Sequence, residues 1–342
     1  MDQHARSPGP HRGDRRRDLA SSARGEGALN KWLVRGGQLL LTVAVTWIIL
    51  DRVGLGLDEL SEVDRALWLP GPVLFTVASA LLLAGYFVSA GIWGQIVREL
   101  GGPSVPLADS VRIFMIANLG RYVPGKVWQI AGLAALAKGK GVPAATAAGA
   151  AVLGQGIAVI AAAAVGLGAV LRAPEPYPRW GLVGIGLVLV AALLLAVPTL
   201  FRRLVAIWFR LTRSEARPEV GGVHALRWLG LYTVNWALYS VSFLVLARSL
   251  GLAGDPVPIA SAFAAAYVLG YAMVFAPAGL GPREGFLIIF LTPHIGAAPA
   301  GVLAIVARVW TTLVEVIPAG IFWFGHVART RETKEPGEVR AP

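Results

Sequence analysis

The chain has 342 residues, of which 56% are hydrophobic and only 15% charged; an ordinary soluble domain carries about 25% charged residues. It contains no cysteine, which rules out a disulfide framework, a thiolate zinc site and a cysteine nucleophile. The net charge of +11 lies between long uncharged stretches, so it is expected to set membrane topology and to meet anionic lipid, with no nucleic-acid partner.

Residues 1–31 form a polar, Gly-, Ser- and Arg-rich segment, expected to be a disordered basic tail on the cytoplasmic side. Its charged region is too long for a signal peptide, and no small-residue cleavage site precedes Asp51. The first span is expected near Trp32–Leu50, opening a membrane domain over 32–326. The following loop carries Asp51, Asp58, Glu59, Glu62 and Asp64, which fits an external loop. A span over about Pro70–Val97 returns to Arg98, and further spans are expected at Ala144–Val170 and Trp180–Thr199. The loop after these holds Arg202, Arg203, Arg210, Arg213, Arg217 and Arg227 and reads as cytoplasmic. Spans at Trp228–Ala247 and Pro299–Phe324 lead to a basic C-terminal tail, 327–342, also on the cytoplasmic side.

Two apolar stretches are interrupted by Pro, Gly and charge. Val111–Leu136 breaks at Arg121–Lys126, and Ile259–Leu291 breaks at Pro277–Glu284. Two topologies share the same termini. The second stretch crosses twice, giving about eight spans, or each stretch is a re-entrant hairpin between about six full spans. The hairpins would enter from opposite sides, as in an inverted repeat with discontinuous helices around a substrate site.

In the first break, Pro124 removes an amide donor and Gly125 frees the backbone, so a helix should stop and restart near Val127. The restarted helix would aim its free N–H groups at the region of Arg121 and Lys126, a combination suited to phosphate or carboxylate. Gly120–Lys126 spells G-x-x-x-x-G-K, but Val127 stands where a nucleotide-binding loop needs Ser or Thr, and no strand precedes it. In the second break, Gly279 and Gly281 allow a close-approaching backbone, Pro282 suits a first helical position, and Glu284 favours the helix dipole. Arg283 and Glu284 are the only charges between Asp255 and Arg308, and charges inside apolar chain generally face a cavity or a partner.

Arg308 and Glu315 lie seven residues apart in the last span and so share a helix face. Glu315 is expected to pair with Arg121 or Arg283, or to bind a proton. Asn118, Gln129, Gln155 and Asn235 are cavity-lining candidates, or bond across helices as such amides commonly do. Trp32, Trp68, Trp180 and Trp228 fall at span ends, where an interfacial belt is expected. The five His residues are scattered, and neither H-E-x-x-H nor G-x-S-x-G occurs, so no metal, cofactor or catalytic residue is assigned.

At G-R-Y-V-P-G-K-V-W (Gly120–Trp128), A-P-A-G-L-G-P-R-E-G-F (Ala276–Phe286) and R-V-W-T-T-L-V-E (Arg308–Glu315), the chain resembles the lysylphosphatidylglycerol synthase transmembrane family, also called flippase-like domain proteins. The resemblance implies a membrane domain that moves a lipid between leaflets, typically an aminoacylated phosphatidylglycerol. Relatives that also make this lipid carry a soluble transferase domain, whereas only a short charged tail follows Phe324 here.

The expectation is therefore an all-α polytopic bundle that transports a phospholipid or lipid-linked substrate in the cytoplasmic membrane and is not an enzyme. Arg121, Lys126, Arg283, Glu284, Arg308 and Glu315 are the expected substrate contacts. Homo-oligomerisation stays open. The alternatives are a glycosyltransferase using a polyprenyl-linked sugar and a scaffold that binds anionic lipid without moving it.

Overall fold

A computed structural model describes residues 68–123, 127–173, 177–214, 218–273 and 281–332. The N-terminal tail, the first expected span and the acidic residues Asp51–Asp64 lie outside the described residues. So do Pro124, Gly125, Lys126, Pro277 and Gly279.

The described residues form ten α-helices and no strand: α1 Pro72–Glu99, α2 Leu107–Asn118, α3 Trp128–Lys138, α4 Ala144–Val170, α5 Tyr177–Ala196, α6 Pro198–Leu211, α7 Gly222–Ser249, α8 Pro256–Ala272, α9 Pro282–Ile295 and α10 Ala297–Glu332. Five of them contain segments long and apolar enough to cross a bilayer: Pro72–Glu99, Ala144–Val170, Pro178–Ala196, Gly222–Ser249 and Ala297–Phe324. The chain is a polytopic helical membrane protein.

The helices on either side of the two breaks are shorter. With 12 and 11 residues, α2 and α3 reach only about 16–18 Å, against a hydrocarbon core of about 30 Å. Lys140 and Asp109 form an ion pair at 2.8 Å, which sets the end of α3 beside the start of α2. This hairpin therefore enters and leaves at one end of the bundle. In the second hairpin, Gly254 before α8 lies against the His294 carbonyl and Ile295 at the end of α9, so it too opens at a single end.

The two ends are opposite ones. The Gly71 amide before α1 donates to the Ser249 carbonyl at 2.6 Å, while Trp228 near the start of α7 donates to Glu99 at 2.8 Å. Helices α1 and α7 are thus antiparallel. The first hairpin follows the Glu99 end and the second follows the Ser249 end. The arms of the second hairpin, at 17 and 14 residues, are likewise shorter than the five candidate spans, and the two hairpins open at opposite ends of the bundle.

The packing maps onto itself when α1–α4 are exchanged with α7–α10. Helix α8 packs on α4 as α2 packs on α10, α4 touches α7 as α10 touches α1, and α1 and α7 meet each other. Both hairpins use glycine where their arms cross. A Cβ on Gly120 would lie 2.6 Å from the Gln129 amide nitrogen, and one on Gly270 would lie 2.9 Å from the Arg283 Cβ. A larger residue at either position would force the arms apart, an overpacking cost of about 1–3 kcal/mol.

Three details differ from the sequence expectation. The span expected to reach Thr199 ends at Ala196, because Pro198 cannot continue the same helix and starts α6. The arginine-rich stretch expected as a loop opens as this amphipathic helix, with Phe201, Val205 and Phe209 buried at four-residue spacing and Arg202, Arg203 and Arg210 exposed. Trp228 is not a belt residue. It is fully buried, because Glu99 supplies inside the protein the acceptor that its indole N–H would otherwise seek at the interface.

Candidate functional site

Helix α10 carries two charges on one face, and each meets a different break. Glu315, only 2% exposed, accepts from Arg121 Nη1 at 2.8 Å and from the Tyr122 hydroxyl at 2.7 Å. The Tyr86 hydroxyl of α1 also donates to it. A carboxylate enclosed by apolar helices needs this many donors to remain stable. Arg121 and Tyr122 belong to a single 3-10 turn, Leu119–Tyr122, that ends α2.

The second guanidinium nitrogen of Arg121 donates to the Asn118 side-chain oxygen. The same oxygen accepts from Gln129 Nε2 at 2.9 Å. Asn118 thereby joins the end of α2 to the start of α3 across the break.

Arg308, one face-repeat earlier on α10, lies 3.5 Å from Glu284. The other Glu284 oxygen accepts the Gly281 amide at 2.7 Å, capping the N-terminus of α9, where Pro282 takes the first position. Gly281 has φ +85°, a conformation that favours glycine. Glu284 is therefore committed to its own helix and to Arg308.

Between the hairpins lies a cavity of about 180 Å³. Arg121 and Gln129 of the first hairpin line it, as do Arg283 of the second, Gln155 of α4, Asn235 of α7 and Glu315 of α10. Asn118 stands behind this wall, and Glu284 and Arg308 are not part of it. Among the described residues, the lining thus carries two guanidiniums and one carboxylate.

The two arginines are held differently. Arg121 is locked to Glu315. Arg283 has its guanidinium 4.6 Å from the centre of the Phe263 ring, and its buried Nε has no hydrogen-bond partner among the described residues. No carboxylate among those residues lies within ion-pair distance of it. Helix α4 is the counterpart of α10 in the internal exchange. Where α10 brings Glu315 to the cavity, α4 brings the neutral Gln155, which donates to the Tyr267 hydroxyl at 2.9 Å.

The sequence reading did not single out the tyrosines. Among the described residues, Tyr86, Tyr232, Tyr239, Tyr267 and Tyr271 line the cavity. Their signal was position, since Tyr86, Tyr232 and Tyr239 fall in the middle of spans and not at the ends where belt residues belong.

No curated protein matches the chain. The family model described as Lysylphosphatidylglycerol synthase TM region matches residues 36–319, a range that takes in both hairpins, the cavity between them and Glu315. By that match over most of its length, the chain belongs to the family of the lysylphosphatidylglycerol synthase TM region.

Proposed function

We propose that the chain is a lipid transporter of the cell membrane, moving the headgroup of a phospholipid or lipid-linked substrate from one leaflet to the other without chemical change. One observation carries the reading. Two hairpins that open at opposite ends of the bundle bring Arg121 and Arg283 to a single cavity. A guanidinium fork matches phosphate geometry and keeps its charge in apolar surroundings. It therefore lowers the cost of taking a headgroup phosphate out of water, while the acyl chains remain in lipid.

The test is reconstitution into vesicles of phosphatidylglycerol and phosphatidylcholine with headgroup-intact, chain-labelled phospholipids and a polyprenyl phosphate. Movement of at least one of these between leaflets should accelerate over protein-free vesicles. Unchanged rates for all of them would sink the reading.

In this proposal both termini and the Glu99 end face the cytoplasm. Exposed Lys138 and the arginines of α6 belong to that end, since Trp208 of α6 donates to Ala145 at the start of α4. Arg172, which follows α4, lies at the other end with Asp255. The cysteine-free chain makes labelling simple. An impermeant maleimide should modify Arg172→Cys on intact cells and Lys138→Cys only after lysis. The reverse pattern would invert the orientation.

A further inference from the structure

We propose that α6 is a binding site for the phosphates of anionic phospholipids, lying in the plane of the membrane at the Glu99 end of the bundle. The site is separate from the cavity, and the proposal holds whichever lipid the cavity carries.

The helix is about 21 Å long, and both its ends are fixed at one level of the bundle. It starts directly after α5, where a Cβ on Gly222, at the start of α7, would collide with the Ala196 carbonyl. Phe201 then meets Trp228 of α7 with ring centres 5.8 Å apart. Near the other end, Trp208 donates to the Ala145 carbonyl at 2.9 Å, in the first turn of α4. Helix α7 starts beside Glu99. So does α4, since a Cβ on Gly102, just beyond Glu99, would lie 3.2 Å from the Thr146 side chain. Span ends on one side thus hold α6 at both ends, and it runs along that face and not through the bilayer.

Its surface divides into three strips. Phe201, Val205 and Phe209 are buried against the bundle. Leu204, Ile207 and Leu211 are exposed and recur every three or four residues, forming a second apolar strip. Arg203 and Arg210 are exposed as well and, seven residues apart, share a face. A helix between protein and water needs only one apolar strip. The second, bordered by arginine, suits a helix sunk into the boundary between headgroups and acyl chains.

The charge on this helix has no counterpart in the protein. Pro198–Arg213 contains four arginines and no acid, and none of the four forms an ion pair among the described residues. Arg210 and Arg213 suit the negative end of the helix dipole, but Arg202 and Arg203 lie towards its positive end, where the helix gives them no support. An anion from outside the chain supplies what is missing, and lipid phosphates lie at this level. The guanidinium fork fits them.

Arg213 points the same way independently. It follows α6 with φ +51°, the one non-glycine residue with positive φ among the described residues. Its amide donates to the Arg210 carbonyl at 3.1 Å and the Ser214 amide to the Phe209 carbonyl at 2.9 Å. These two bonds close a helix on a left-handed residue, commonly glycine. Glycine takes that conformation freely and arginine does not. The helix end gains nothing from the larger residue, whereas a row of phosphate contacts gains a fourth guanidinium.

The chain has no cysteine, so Ile207→Cys carries a single bimane label within the exposed apolar strip. The labelled full chain is reconstituted into phosphatidylcholine vesicles holding a minority of phosphatidylglycerol, with bromine on the acyl chains of one lipid or the other. Bromine quenches the label only at contact. Per molecule, phosphatidylglycerol should quench about fivefold or more strongly than phosphatidylcholine, the scale of preference that basic residues near a membrane surface confer. Arg203→Gln with Arg210→Gln should erase that preference, as should about 1 M salt, which screens charges beyond roughly 3 Å. Arg213→Gly should weaken it while the unfolding midpoint holds or rises. Arg283→Gln, in the cavity, should leave it unchanged, which separates this site from lipid held for transport. Equal quenching by the two lipids overturns the proposal, and so does a preference that survives the double variant. Absence of quenching by either lipid also overturns it, because the strip would then face protein or water. The ratio for the labelled chain with all its arginines decides the matter even if a variant fails to fold.

Discussion

Glu315→Ala should destabilise the protein by about 3–5 kcal/mol, the range for breaking one side of a buried ion pair, and should abolish lipid movement. The substitution strands Arg121 and removes the acceptor of two tyrosine hydroxyls together. It also releases the turn that ends α2 from α10, so the first hairpin loses its tether to the other half of the molecule. The measurement is the unfolding midpoint in detergent, set beside the vesicle assay. The double variant Arg121→Met with Glu315→Leu separates the two effects. With neither charge left to desolvate, it should regain most of the stability while transport stays lost. A single variant as stable as the parent would show that the pair is not the tether described.

Arg283→Gln should do the reverse, cutting transport by about tenfold to a hundredfold, the equivalent of one charge-assisted hydrogen bond of roughly 1.5–3 kcal/mol. Its unfolding midpoint should hold or rise, because the arginine leaves behind no described ion-pair partner. Arg283→Lys should not restore the rate, since an ammonium lacks the planar fork and stacks less well on Phe263. Transport at the parent rate in Arg283→Gln would remove Arg283 from the site.

The contrast between these two arginines also marks how far the sequence could be read. Both breaks are visible in it, because Pro and Gly stop a helix wherever they fall together, and charge inside an apolar stretch demands a polar surrounding. The role of Pro282 and Glu284 at the start of α9 follows from local rules, and both sit where those rules put them. What those rules cannot reach is pairing across the fold. Arg308 and Glu315 visibly share a face, but that one serves the second break and the other the first depends on how α10 lies between the hairpins. Tyr86 reaches Glu315 across 229 residues, and no periodicity encodes such a contact. Trp228 shows the same limit, since its place at a span end is shared by belt residues and only Glu99 distinguishes it. Helix α6 escapes the sequence reading for a different reason. Its arginines count as topology charge there, and that masks the four-residue spacing of Phe201, Val205 and Phe209.

The ion pair that closes the cavity joins residues 194 positions apart. At a synthesis rate of about 5–20 residues per second, Arg121 is made roughly 10–40 s before Glu315. During that interval the first hairpin has its arginine, its tyrosine and its amide bridge but no carboxylate to receive them. The nascent protein must keep this polar turn near water, or in the care of the insertion machinery, until α10 arrives. A chain interrupted before its last span would therefore display an unmatched guanidinium at the tip of a loose hairpin, a recognisable mark of incomplete assembly for membrane proteases.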